Sequence, residues 1–442
     1  MLEIRHLNIK ERDFNDALKS LLANTSGAQD EELRNAVVAI VEDVRINGDT
    51  ALLKYTNRLD DRSATVAELE IPVQHLDKAF TGLPVELRQA LQDASARIRR
   101  FHEQQLLQSW SYRDADGSLL GQQVTALERV GVYVPGGKAA YPSSVLMNII
   151  PARVAGVTEI IMAVPTPGNE LNPVVLAAAR LAGADRVFSI GGAQAIAALA
   201  YGTDTIPAVD KIVGPGNRFV AEAKRLVFGT VGIDMIAGPS EVMIVSDGKS
   251  DPDWVAMDLF AQAEHDEDAR SVLVCSDNGF IRRVEESMAR LLPQLERAQI
   301  IKTSIERNGI IIQVDTLEQA VEIINLMAPE HLELSVEEPE LLLPLIKHAG
   351  AIFLGKFSAE ALGDYCAGPN HVLPTARTAR FFSPLGVYDF QKRSSIMQCS
   401  AQSAAGLAAT AAILARSEGL TAHALAAEMR LKKTGDRSQK SE

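Results

Sequence analysis

The sequence predicts an α/β protein: two incomplete Rossmann-like parallel-sheet units, one inserted in the other, with a helical N-terminal segment and a C-terminal helical arm. Three observations predict it. From Gly131 onward, apolar runs of four to six residues alternate with helical stretches. The runs are continuous rather than alternating, as strands buried on both faces of a parallel sheet must be. They also fall into two series, which asks for two sheets rather than one.

Taken in order, residues 12–107 read as mainly helical. In "DEELRNAVVAIVEDVRING" the side chains of Leu33, Val37, Ile40, Val41 and Val44 share one helix face, and the segment ends at Gly48. "PVELRQALQDASARIRRFHEQQ" continues in the same manner. The first strand series is "GVYVP", "EIIMAVP", "RVFSIG" and "KIVGPG", each closed by a Gly or Pro turn, with helices such as "VVLAAARLAG" and "GAQAIAALAYG" between them. The second is "EVMIVSD", "SVLVCSD", "GIIIQVD" and "AIFLGK". After Arg393 the chain turns Ala-rich and helical, too thin to bury a core of its own, so the arm packs on something else. "TGDRSQKSE" at the end is expected to be disordered. The expected division is residues 1–25 as the N-terminal segment, 26–129 with 239–380 as the larger α/β domain, 130–238 as the inserted one, and 381–442 as the arm and tail.

Composition narrows the function classes. The 442 residues are 47% hydrophobic and 23% charged, an ordinary globular balance for two or three compact units. The net charge is −13 and no basic run exceeds Lys432-Lys433, which excludes a nucleic-acid footprint. No run of about 18 apolar residues predicts a membrane span. The opening "MLEIRHLNIKERDF" does not read as a signal peptide, and three scattered cysteines build no disulfide framework. The expectation is a soluble cytoplasmic protein.

Several short stretches carry chemistry. "GPGNRF" puts Gly214 and Gly216 after a strand, but Phe219 stands where a dinucleotide fingerprint has its third glycine. The stretch reads either as a plain turn or as part of a nucleotide site lacking the usual phosphate cradle. Gln194 and Asn217, just beyond such turns, suit a ribose or a carboxamide. "AQAEH" spaces Gln262 and His265 at i, i+3 on one helix face, either a solvated helix end or two ligands converging on a divalent metal. "LGDYCAGPNH" offers Asp364, Cys366 and His371 in a Gly-flanked loop. Cys366 is either inert packing or the nucleophile of a covalent aldehyde-oxidising mechanism. "EGLTAH" sets Glu418 and His423 five apart in the arm, and "LMAPEHLELS" sets Glu330 beside His331.

Together these stretches resemble histidinol dehydrogenase along nearly the whole chain. The carrying motifs, in order, are "GVYVPGGKAAYPSS", "GGAQAIAALAYGT", "VDKIVGPGNRFVAEAK", "DMIAGPSEV", "AQAEH", "APEHLEL", "GDYCAGPNHVLPT" and "EGLTAH". The resemblance implies oxidation of L-histidinol to L-histidine in two NAD-dependent steps through an aldehyde. It implies a homodimer with one zinc per subunit and shared active sites, and it makes the inserted domain the NAD-binding one. By the same resemblance Gln262, His265, Asp364 and His423 are zinc ligands that also face substrate. Tyr133, Gln194 and Asn217 contact NAD. Ser240, His331 and Glu418 contact histidinol, and Glu330 with His331 does the acid–base work. A paralogue acting on another small polar alcohol is the alternative, and a non-catalytic regulator has no use for the Glu330–His331 pair.

Those residue types suit the chemistry. A histidine can take the hydroxyl proton as hydride leaves an alcohol. The aldehyde has no hydride to give until water adds, and a carboxylate can activate that water. On this reading His331 takes the alcohol and hydrate protons, and Glu330 activates the water.

Overall fold

The structure, a computed structural model, describes residues 2–23, 31–136 and 141–431. The expected disordered tail (434–442) and residues 137–140 of "GVYVPGGKAAYPSS" lie outside that description. The chain divides into two compact units, Met1–Gln105 with Leu127–Phe390, and Leu106–Ala126 with Gln391–Glu442.

The first unit contains both parallel sheets. One has six strands in the order Arg5–Asn8, Ile310–Gln313, Arg270–Cys275, Glu241–Ser246, His331–Ser335, Ala351–Leu354. All its pairings are parallel. Side chains alternate across it as strand geometry requires. Met243, Val245, Val272 and Val274 enter one apolar layer with Leu18 and Ile324. Val242, Ile244 and Leu273 enter the other with Leu259, Phe260 and Phe280.

The second sheet has five strands, in the order Arg186–Phe188, Glu159–Ala163, Arg129–Tyr133, Lys211–Val213, Gly232–Ile233. These pairings are also parallel. The helix Pro142–Ala155 covers one face and the helix Gly192–Tyr201 the other. The helical stretch Glu31–Leu59 packs its buried Val37, Val41 and Val44 into the layer of Gly192–Tyr201. It breaks at Gly48, whose φ of 51° and ψ of −129° lie outside any helix and are open to glycine alone at low cost.

Two local expectations need correction, and one strand stands outside the expected series. The N-terminal segment is helical only from Phe14; before it, Arg5–Asn8 is an edge strand too short and too polar to show a period. "HLELS" is a central strand, His331–Ser335, although Glu333 interrupts its apolar character. The chain after Arg393 stays extended to Gln398 before the arm helix begins at Ala401.

The second unit is built differently. Gln391–Gln398 pairs antiparallel with Leu119–Ala126, which pairs antiparallel with Trp110–Arg113. Two helices follow, Ala401–Ser417 and Thr421–Glu428, joined by a turn at Gly419 (φ 77°) and clamped by Arg416, which donates to both carboxylate oxygens of Glu428 at 2.8 and 2.9 Å. Leu407, Ile413, Leu414, Leu425 and Met429 stay exposed on these helices. Among the described residues no helix is long and apolar enough to cross a membrane.

Candidate active site

Glu330 and His331 sit at the amino end of a central strand of the six-stranded sheet, whereas an open parallel sheet usually binds ligands at its carboxyl ends. The local sequence drives the chain into that position. The helix Leu317–Met327 ends on Ala328 in the left-handed region (φ 47°), a conformation costing a non-glycine residue about 1 kcal/mol. Pro329 follows and stops the helix. Gly350 passes so close that a Cβ there would stand 2.5 Å from the Glu330 carbonyl oxygen.

Both side chains are buried, Glu330 5% and His331 3% exposed. The Glu241 N–H donates to Glu330 Oε2 at 2.9 Å. His331 Nδ1 donates to the Glu241 carbonyl at 3.1 Å, which directs Nε2 away from the strand. Nε2 has no hydrogen-bond partner among the described residues and stands 3.5 Å from Asp364 Oδ1. Ser240 immediately precedes Glu241 and so lies beside the pair.

Asp364 comes from a turn of π-helix, Gly363–Ala367, a geometry found often at functional sites. Gly363 lets that turn lie against Phe353, since a Cβ would meet the ring at 2.5 Å. The Asp364 carbonyl accepts from His371 Nδ1 at 2.9 Å, and the other His371 nitrogen is 3.3 Å from Ser144 Oγ. Cys366 is exposed, its thiol donating to the Leu362 carbonyl at 3.6 Å.

Electrostatics sets the protonation states. Burial pushes the Glu330 carboxyl up to about 7, against the pull of His331 and of the Glu241 N–H. Burial alone would push His331 down, but Glu360, Glu330 and Asp364 outweigh it and hold the imidazole well above 6.5. Burial pushes Asp364 up, yet its pairing with His331 leaves it below the usual carboxylate range.

Glu360, 2% exposed, was not foreseen. Its Oε1 lies 3.8 Å from His331 Nδ1, and burial pushes its carboxyl up to about 8. Behind it, the Glu360 N–H donates to Glu333 Oε1 at 2.7 Å. Glu333 faces Asp258 on the helix Pro252–Ala263, and burial with the Asp258 charge raises it well above its ordinary value. The Asp258 carboxyl is pushed up to about 6 by burial.

Raised carboxyls make folding favourable at low pH and less so as pH climbs through the folded-state values. The rise at Asp258 from 3.8 to about 6 corresponds to at most about 3 kcal/mol. Thermal unfolding of the wild type is therefore expected to lose stability between pH 5 and pH 8, and Glu333→Gln to flatten that loss. Parallel pH profiles for the two proteins would rule out the raised Glu333 and Asp258 carboxyls as the cause.

Gln262 and His265 end the helix Pro252–Ala263 at the same edge of the sheet. Gln262 is fully buried, its Nε2 3.5 Å from His265 Nδ1, and its Oε1 has no partner among the described residues. His265 is exposed and near enough to Asp364 and His371 to act on their charge. The buried orphan oxygen of Gln262, an imidazole and a carboxylate make a donor set that fits a divalent metal. Among the described residues, His331, Glu360 and Asp364 also bring ligand atoms within 4.8 Å of one another, so Asp364 belongs to both groups. Glu418 and His423 lie in the second unit, both exposed, on either side of the Gly419 turn.

The expected cofactor contacts gather at the carboxyl edge of the five-stranded sheet. Tyr133 is buried, and the Gly192 N–H at the start of its helix donates to the Tyr133 hydroxyl at 3.1 Å. A phenol thus occupies the helix terminus where a phosphate would otherwise sit. Gln194 is buried with Oε1 unpartnered among the described residues. Asn217 caps the helix Arg218–Val227, its Oδ1 accepting from the N–H groups of Phe219 and Val220. Phe219 points outward, and Val220 takes the inner place against Gly216, where a Cβ would meet it at 2.3 Å. Gly214, at φ 109°, is held by the Asp234 carboxylate, which also pairs with the buried Lys224.

The chain is similar to known proteins along nearly its whole length. A family model described as histidinol dehydrogenase matches residues 23–431. The histidinol dehydrogenase of Pseudomonas aeruginosa is 60% identical over 429 residues, covering 97% of each chain. That of Methylococcus capsulatus is 59% identical over 432 residues, covering 98% of this chain and 99% of its own. The crystal structure of histidinol dehydrogenase from Elizabethkingia anophelis matches with a TM-score of 0.92 at 33% identity, over 98% of this chain and 99% of that one.

Proposed function

Because the chain belongs to the histidinol dehydrogenase family and oxidises histidinol in the making of histidine, we propose that two successive NAD-dependent oxidations, through histidinal, run at one site around Glu330 and His331. The observation that carries this reading is the buried pair itself. His331 is anchored through Nδ1, so Nε2 alone is free to exchange a proton. Glu330 is held near 7, where a carboxylate is a useful base at neutral pH.

In its neutral form His331, through Nε2, takes the alcohol proton as hydride leaves the carbinol carbon. Glu330 then removes a proton from the water that adds to the aldehyde while His331 returns its proton to the carbonyl oxygen, and His331, neutral again, takes the hydrate proton in the second oxidation. NAD, when bound beside Tyr133, Gln194 and Asn217, supplies the hydride acceptor for both steps. Gln262, His265, Asp364 and the partner's His423 would hold zinc, whose positive charge would compete with His331 for Asp364, favouring the neutral imidazole, and would help hold the amine and imidazole of histidinol. Ser240 and Glu418 complete the substrate contacts.

The same reading makes the protein a homodimer with shared sites. Its support is the set of apolar side chains left exposed on the arm helices, Leu407, Ile413, Leu414, Leu425 and Met429. The test of the reaction is stoichiometric: two NADH formed for each histidinol consumed, with histidine as product. One NADH, with histidinal accumulating, would reduce the protein to a simple alcohol dehydrogenase.

A further inference from the structure

At the carboxyl edge of the five-stranded sheet, three buried polar atoms lack any partner among the described residues: Asp60 Oδ2, Thr166 Oγ1 and Gln194 Oε1. Asp60 closes the helical stretch Glu31–Leu59, its N–H donating to the Thr56 carbonyl. Its own carbonyl accepts from the Gly168 N–H at 2.8 Å, which ties it to the loop after the strand Glu159–Ala163. Thr166 opens that loop. The next loop, after Arg186–Phe188, is drawn alongside: Gly191 packs so tightly on Pro165 that a Cβ would stand 2.4 Å from it. Arg62 bridges the two loops through Asn169 Oδ1 and the Ser189 carbonyl, and makes no hydrogen bond to Asp60.

A carboxylate 9% exposed with an unpartnered oxygen is costly, and the nearby Arg62 charge offsets only part of that burial, which still pushes the Asp60 carboxyl up. The position identifies what would offset the rest. In a nucleotide-binding sheet the carboxyl end of the second strand meets the adenosine ribose, where an acid commonly accepts from its hydroxyls. Here Glu159–Ala163 is the strand after Arg129–Tyr133 and its neighbour in the sheet, yet it runs into Val164, Pro165 and Thr166 rather than an acid. Asp60 supplies the missing acid from another element. It is near enough to Tyr133 to add to the burial that pushes that hydroxyl up to about 12, so it faces the expected NAD contacts.

We propose that Asp60 selects the dinucleotide, its carboxylate accepting from the hydroxyls of the adenosine ribose and repelling a 2′-phosphate, with Thr166 beside it. The assignment rests on the reading that NAD binds at this edge. With two nitrogens already committed, Arg62 is not poised to receive a phosphate.

The experiment measures NAD and NADP binding to the full-length protein by calorimetry, for the wild type, Asp60→Asn and Asp60→Ser, with thermal unfolding of each without cofactor. The wild type should prefer NAD over NADP by more than about tenfold, and both variants should narrow that preference about tenfold or more, since like-charge contact is what discriminates. Removing an unpaired buried charge should leave the cofactor-free variants at least as stable as the wild type. An unchanged preference in both variants, or equal weakening of both cofactors with a fall in stability, overturns the assignment while leaving NAD binding intact. A wild type that binds neither cofactor overturns the underlying reading as well.

Discussion

Glu330→Gln is expected to slow oxidation of supplied histidinal by about 10² to 10⁴-fold while slowing the first hydride transfer by less than about tenfold. The substitution keeps the fold, because the amide oxygen can still accept from the Glu241 N–H that now donates to Glu330 Oε2. What disappears is a base with a carboxyl near 7. On the proposed reading the alcohol step does not need it, since the proton there goes to His331 Nε2. The aldehyde step does, because no hydride is available until water has added. Single-turnover measurements starting from histidinol and from histidinal separate the two. Equal losses in both would mean that Glu330 serves only to hold His331, whose Nδ1 lies 3.9 Å from its Oε2.

The partition between the two steps follows from features that differ in how plainly the sequence shows them. Strands of uninterrupted Val and Ile, such as Glu241–Ser246 and Ile310–Gln313, announce themselves because both faces are buried. His331–Ser335 does not, because alternate positions carry His331 and Glu333 inward toward acids. The antiparallel sheet of the second unit is harder still. Trp110–Arg113 and Gln391–Gln398 are largely exposed, so no apolar pattern marks them. Of the site, Glu330, His331, Gln262, His265 and Asp364 are readable because each stands in a compact motif. Glu360 and Asp258 are not. An acid in "SAEALG" or "VAMDLF" looks like helix surface until tertiary packing buries it beside another carboxyl, and no local period records that event. Asp60 is hidden for the same reason: "NRLDDR" reads as a solvated turn, and only the sheet edge behind it gives the carboxylate a purpose.

Mixing inactive subunits should restore activity if the site is shared as proposed. His423→Ala and His265→Ala chains are each expected to be nearly inactive as homodimers, since each removes an imidazole from the proposed zinc set. In the mixed dimer one site collects both lesions and the other neither, so each mixed dimer should recover about half of a wild-type dimer's activity. The physical ground lies in the second unit. Glu418 and His423 flank the Gly419 turn, fixed in the arm by the Arg416–Glu428 clamp, and both side chains are exposed. Leu407, Ile413 and Leu414 on the same arm are exposed as well, an apolar surface that a second copy would cover as it brings the turn to its partner's Gln262, His265 and Asp364. Sites built within one chain would each carry one lesion in every mixture, and nothing would return. No recovery, with subunit exchange verified by native mass measurement, would therefore assign His423 to its own chain's site or remove it from the site altogether; zinc content of the His423→Ala parent distinguishes these, falling in the first case and holding in the second.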